Sequence, residues 1–209
     1  MGTGSATAVL EHAGACEHEL ALLQSSCAGG QAPETHLAMQ AKTDALTGHL
    51  NRHWLDEHQQ QLLGCCVLMV DIHHFKRINE EYGHAVGDKA LRAVAQQLRQ
   101  QTCPGDVLVR LGGEGFAVIC RTGERQVQIA GLAERLRQAV ADLEFRGSGA
   151  DPDSPPIQLS ISVGVALSES KETLEGQLER ADRAPYRAKG LGRDRVVIAT
   201  DVIDQPGAQ

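Results

Sequence analysis

The chain has 209 residues, 42% of them hydrophobic, enough for one domain with a core plus an extension. Its 20 Lys and Arg against 27 Asp and Glu leave a net charge of -7, which argues against nucleic acid or an anionic membrane as partner, so any phosphate must be held locally. Six cysteines without a CxxC pair read as reduced, mostly buried thiols; no apolar run reaches the roughly 18 residues of a membrane span, and no basic-then-apolar leader opens the chain, so a cytoplasmic protein is expected.

Residues 1–40 carry a modest helical signal at Val9, Leu10, Leu20, Leu22, Leu23 and Cys27 that breaks at Gly29, Gly30 and Pro33, a lead-in rather than a second domain. His12, Cys16 and His18 lie on it without a fourth partner at helical spacing and read as exposed helix residues. Thr43 to Gly48 mixes capping residues with glycine ahead of a helix from Asn51 to Gln61. Cys65 to Val70 is a continuous apolar run closing on Asp71, the pattern of a buried central strand with a carboxylate at its C-terminal end. Ligand sites gather at strand ends, which makes Asp71 a candidate ligand against the alternative of a turn aspartate.

After Phe75, Lys76 and Asn79, the segment Tyr82 to Asp88 reads as a turn-rich connection into a helix with Leu91, Val94, Ala95 and Leu98 on one face. Two β-prone runs, Val107 to Leu111 and Phe116 to Cys120, flank Gly112, Gly113 and Gly115, the pattern of a tight hairpin with Glu114 at its tip. Those glycines serve either the φ of the turn or the close approach of a ligand. A second sheet-covering helix follows over about 126–143, then a flexible loop over 146–156 and an alternating strand from Ile157 to Leu167. Leu174, Leu178, Ala181 and Ala188 mark a third helix, Arg195 to Ile198 a last strand, and 201–209 a tail. This order predicts an α+β fold over 41–200, a mixed sheet of about five strands with helices on one face. The strand ending at Asp71 is expected beside the hairpin, so that Asp71 and Glu114 share a rim. Two such carboxylates repel unless a hard cation such as Mg²⁺ neutralises them, and Mg²⁺ usually arrives with substrate phosphates.

The motifs resemble those of the GGDEF-domain diguanylate cyclases. The likeness runs through Asp44-Ala-Leu-Thr-Gly-His-Leu-Asn-Arg52, Val67-Leu-Met-Val-Asp-Ile-His-His-Phe-Lys76, Ile78 to Asp88, Arg110 to Phe116, Ser160 to Val165 and Arg180 to Arg193, about 155 residues in all. It implies a palm-like nucleotide-cyclase fold in which each subunit of a homodimer holds one GTP and two GTP condense head to tail into cyclic di-GMP. By the same resemblance Asp71, the Ile72 carbonyl and Glu114 bind Mg²⁺ or Mn²⁺, and Glu114 helps deprotonate the attacking 3′-hydroxyl. Asn79 and Asp88 read the guanine edge. Backbone at His74 and Phe75, the hairpin glycines Gly112 and Gly113, and the cations Lys76, Lys189 and Arg193 hold the phosphates, with Lys76 also offsetting charge on the leaving group.

Four positions depart from the pattern. Gly115 replaces a second hairpin acid, and His73 replaces the second acid of an Asp-x-Asp strand end, where strand alternation would set it beside Asp71. Cys103 replaces the arginine of the Arg-x-x-Asp motif that binds product, so no feedback inhibition is expected at Cys103 to Asp106. Pro185 is expected to interrupt or kink the last helix just before Lys189. The expectation is a diguanylate cyclase of reduced activity, with a degenerate GTP-binding regulatory module as the alternative. An upstream sensor domain is a possible partner in either case.

Overall fold

The structure, a computed structural model, describes residues 40–121, 128–147, 155–169, 172–190 and 194–199, with backbone alone at 185–190. The lead-in over 1–39, with His12, Cys16 and His18, lies outside the described residues, as do Arg193 and the 201–209 tail.

Six strands form one sheet in the order β1-β3-β4-β2-β5-β6. They are β1 (Leu50–Asn51), β2 (Cys65–Ile72), β3 (Val107–Gly112), β4 (Gly115–Arg121), β5 (Ile161–Ala166) and β6 (Val196–Ile198). The inner pairings are antiparallel and the two outer ones, β1 with β3 and β5 with β6, are parallel. The sheet is thus mixed, as expected, and holds six strands against an expectation of about five. Two residues of β1 are too few to show a period, and Asn51 already belongs by sequence to the next helix, whose first turn it caps by accepting from the Trp54 N–H at 3.0 Å.

Among the described residues five helices join the strands: α1 (Arg52–His58, continued by a 3₁₀ turn over Gln59–Leu62), α2 (Phe75–Tyr82), α3 (His84–Gln101), α4 (Ile129–Ala141) and α5 (Leu174–Gly190). They cover both faces of the sheet, which corrects the expectation of one. The continuous apolar run of β2 is the reason: Cys66, Leu68, Val70 and Ile72 face a core with α2, α3 and α4, while Cys65, Val67 and Met69 face another with Trp54, Leu55, Leu174 and Ala181 of α1 and α5. A strand buried on both faces needs two layers.

The segment read as a turn-rich connection is almost wholly helical. α2 ends at Tyr82, Gly83 turns the chain at φ +84, and α3 starts at His84. Only Phe75 and Ile78 of α2 are buried, so its polar sequence hid its period. The helix expected to kink at Pro185 runs as one element to Gly190. Proline there withdraws a single amide from the ladder, while burial of Leu174, Ala181 and Ala184 anchors the turns before it.

Candidate active site

The rim of the sheet is set by register. Asp71 pairs with Gly115 across β2 and β4, and the Ile72 N–H donates to the Glu114 carbonyl at 3.4 Å. Asp71 and Glu114 therefore stand on adjacent strand ends, with the Ile72 carbonyl beside them. Gly112 at φ +129 and Gly113 at φ +52 make the hairpin tip, conformations that a side chain strains to adopt. Gly115 differs: a Cβ there would meet only the Gly112 carbonyl oxygen, at 3.5 Å, so the backbone does not demand glycine.

The tip is held by a network that sequence reasoning missed. Arg110 sends Nη1 to both oxygens of Asp44, at 2.9 and 3.0 Å, and Nη2 to the Gly113 carbonyl at 2.8 Å. Asp44 also accepts from the Thr47 N–H at 2.9 Å and the Thr47 hydroxyl at 2.8 Å. Burial works to raise the Asp44 pKa, but the hydrogen bonds from Arg110 and Thr47 outweigh it and hold the carboxyl below its ordinary value. The signal was present in the sequence as an acid three residues before a threonine, the spacing of a side-chain-closed turn. What the pattern could not show was the partner 66 residues away.

On the other side of the rim, His74 takes a left-handed conformation at φ +56 as the N-cap of α2, makes no side-chain cap, and leaves the first N–H groups of that helix, from Phe75 on, without intrahelical acceptors. Lys76 is 89% exposed in that turn and pairs with Glu80 at 3.5 Å. Asn79 lies one turn further along. Its amide rests against Gly87 of α3 so closely that a Cβ at 87 would sit 1.8 Å from the Asn79 Oδ1. Asp88 follows Gly87 and is exposed. Asn79 and Asp88 are thus brought together on α2 and α3, on the face of the sheet opposite the cleft of about 340 Å³ that Asp71 and Gly115 line with Arg52, Asp56 and Glu179. The Lys189 side chain lies outside the described residues.

His73 lies on the face where alternation sets it: its partner Ser162 is paired with Asp71 across β2 and β5, so both side chains stand on one face. β2 ends at Ile72, so residue 73 belongs to the turn, and its imidazole is buried against Ser162 Oγ, 2.8 Å from Nε2. At the other end of the hairpin, Asp106 is 2% exposed and accepts the Cys103 N–H at 2.8 Å, while Arg99 donates to the Cys103 and Asp106 carbonyls.

A divalent metal fits this donor set. Two carboxylates and a backbone carbonyl are hard oxygen donors, and among the described residues no group of three or more His, Cys, Asp or Glu gathers to close a cage. That leaves positions for water and substrate oxygens, the usual arrangement for Mg²⁺.

A mixed sheet whose central strand and hairpin present two carboxylates beside a helix N-terminus is the palm-like architecture of a nucleotide-handling α+β domain. The chain belongs to the GGDEF-domain family. The family described as "Diguanylate cyclase, GGDEF domain" matches residues 41–195. Diguanylate cyclase DgcP of Pseudomonas aeruginosa is 38% identical over 167 residues, 76% of this chain and 24% of that protein. Diguanylate cyclase DgcM of Escherichia coli is 35% identical over 174 residues, 79% of this chain and 40% of that protein. The chain therefore spans well under half the length of either relative. Among solved structures, the coiled coil and GGDEF domain of DgcB from Caulobacter crescentus, in complex with c-di-GMP, superposes with a TM-score of 0.70 at 30% identity, covering 79% of this chain and 91% of that one. Diguanylate cyclase SiaD of Pseudomonas aeruginosa, in complex with its activator SiaC, gives a TM-score of 0.67 at 29% identity, covering 79% and 65%. Cyclases of this family use GTP, often act as dimers and depend on a divalent metal. No helix among the described residues is long and apolar enough to cross a membrane.

Proposed function

We propose that this protein is a diguanylate cyclase that condenses two GTP into cyclic di-GMP and pyrophosphate, with its catalytic domain within 41–200. The observation that carries the reading is the shared rim: Asp71 beside the hairpin, Glu114 next to Ile72, and the N-terminus of α2 adjoining both. Mg²⁺ is the metal the donor set favours, held by Asp71, the Ile72 carbonyl and Glu114, and when bound it offsets charge on the phosphates. Glu114 is the group placed to accept the proton of the attacking 3′-hydroxyl. The first N–H groups of α2 and the backbone of Gly112 and Gly113 face the phosphates, and Lys76, with Lys189 and Arg193 by their place in the sequence, supplies positive charge against the leaving pyrophosphate. Asn79 and Asp88 sit together where an amide and a carboxylate can meet the N1–H and exocyclic amine of guanine. Two copies facing each other bring the two GTP together.

Gly115 favours a second reading, a GTP-binding regulatory module, because the rim carries one carboxylate fewer than the family pattern. Incubation of the pure chain with GTP and Mg²⁺ or Mn²⁺, with product detected by chromatography, separates the two. Cyclic di-GMP that disappears in Asp71→Ala supports the cyclase. GTP binding without product leaves the module.

A further inference from the structure

The turn from Thr43 to Leu50 is closed upon itself and held from two sides. Thr43 bridges Leu50, the Asp44 N–H donates to the His49 carbonyl at 2.7 Å, and the Gly48 N–H donates to the Asp44 carbonyl at 2.8 Å. With the two Thr47 bonds to the Asp44 carboxylate, these make the turn a stiff unit. Its first outside hold is Arg110, which ties Asp44 to the Gly113 carbonyl at the hairpin tip. Its second comes from α3. Arg92 donates from Nε to the Leu46 carbonyl at 3.1 Å, while the Leu46 side chain packs on the core that α3 helps to build. The turn also meets α3 further along: burial, and then the nearby Arg99, keep the His49 imidazole below its ordinary pKa against the pull of Asp44.

Arg92 stands four residues after Asp88, one helical turn away on the same face of α3. A path of hydrogen bonds therefore runs from the helix that carries Asp88, through Arg92, Leu46, Asp44 and Arg110, to the carbonyl of Gly113, the residue before Glu114. Apolar packing between α3 and the sheet is non-directional, so it resists separation better than sliding. Guanidinium bonds onto a stiff turn are directional and fix the slide.

We propose that Arg92 is a positioning residue that sets, through the turn from Thr43 to Leu50, the distance between the base-reading Asp88 and the metal-binding hairpin tip. The inference rests on the GTP reading above and deepens it. GTP is one molecule of limited reach that has to satisfy both ends at once, so its affinity depends on the spacing of the two half-sites as well as on each of them. Arg92 touches no substrate in this role.

The test is equilibrium binding of three ligands, guanosine, pyrophosphate with Mg²⁺, and GTP with Mg²⁺, to the full chain and to Arg92→Ala and Arg92→Lys. Guanosine reports the base end alone and Mg²⁺-pyrophosphate the hairpin end alone. Arg92→Ala should weaken GTP about tenfold, a fraction of the roughly 10²- to 10⁴-fold that joined half-sites gain when their spacing is met, and leave guanosine and pyrophosphate each within about twofold. Arg92→Lys, which keeps a donor for the Leu46 carbonyl, should recover most of the loss. Arg92 is exposed, so both variants should fold as wild type does. Unchanged GTP binding in Arg92→Ala, or a loss shared equally by guanosine or pyrophosphate, overturns the positioning role alone. A wild type that binds GTP no more tightly than pyrophosphate overturns the GTP reading on which it rests.

Discussion

At the start of β3, Asp106 is folded inward, accepting the N–H of Cys103 in its own turn, and it is all but inaccessible. At the end of the same strand the hairpin turns through Gly112 and Gly113, and the Glu114 carboxylate makes no hydrogen bond or ion pair with the described residues. The backbone decides the difference. A turn closed by its own side chain uses up the acid, whereas a turn closed by glycines at positive φ, and anchored from outside by Arg110, leaves the acid at the tip for something else. One acid is structural and the other is available, although both sit in short turns bracketing one strand.

The comparison breaks most sharply at Glu114. Glu114→Gln should lower cyclic di-GMP formation by about 100-fold or more with little change in melting temperature, because it removes a charge that no described neighbour depends on. Asp106→Ala should do the reverse, costing about 1–3 kcal/mol in denaturant unfolding by orphaning the Cys103 N–H and leaving activity per folded molecule within about twofold. Next in size is Gly113→Ala, which puts a Cβ at φ +52; about 1–2 kcal/mol of stability should go, and turnover should fall roughly tenfold as the tip shifts. Gly115→Glu sharpens the contrast from the other side. The position has room for a Cβ, so the protein should fold normally, and turnover should rise several-fold if the missing acid limits it. Unchanged turnover would move attention from the acid to the phosphate side.

The smallest effect concerns the anchor. The Asp44 pKa is lower in the folded chain than in the unfolded one, so its contribution to stability is present above the ordinary aspartate value near 4 and is lost as pH falls through the folded value. Thermal melts between pH 7 and pH 3 should show a steeper loss for wild type than for Asp44→Asn, converging at the acid end. Equal slopes would mean that Arg110 holds the tip without drawing on the Asp44 charge.

The strong periods were legible: β2, both hairpin strands, α3 and α4 follow from apolar spacing, and the neighbourhood of Asp71 and Glu114 from the centrality of an all-apolar strand. What escaped was set by contacts rather than by pattern. α2 has two buried residues and no visible stripe, and β1 is two residues long. The two-sided cover was written in β2 itself, whose residues from Cys65 to Val70 are all apolar, but its meaning depends on helices distant in sequence. Asp44 and Thr47 could be seen as a closed turn, while the arginine that recruits that turn to the hairpin could not.

Gly87 carries one more consequence. It lies inside α3 at an ordinary helical φ, where alanine would stabilise the helix by roughly 0.5–1 kcal/mol, and the Asn79 amide fills the volume that the methyl group would need. Asn79 is the flexible party, so the chain with alanine at 87 would still fold and the amide would swing away. A search for thermostable variants would therefore be drawn to this position and would select, without any warning from the melting curve, a protein that has lost the seat of one of its two proposed base-reading groups.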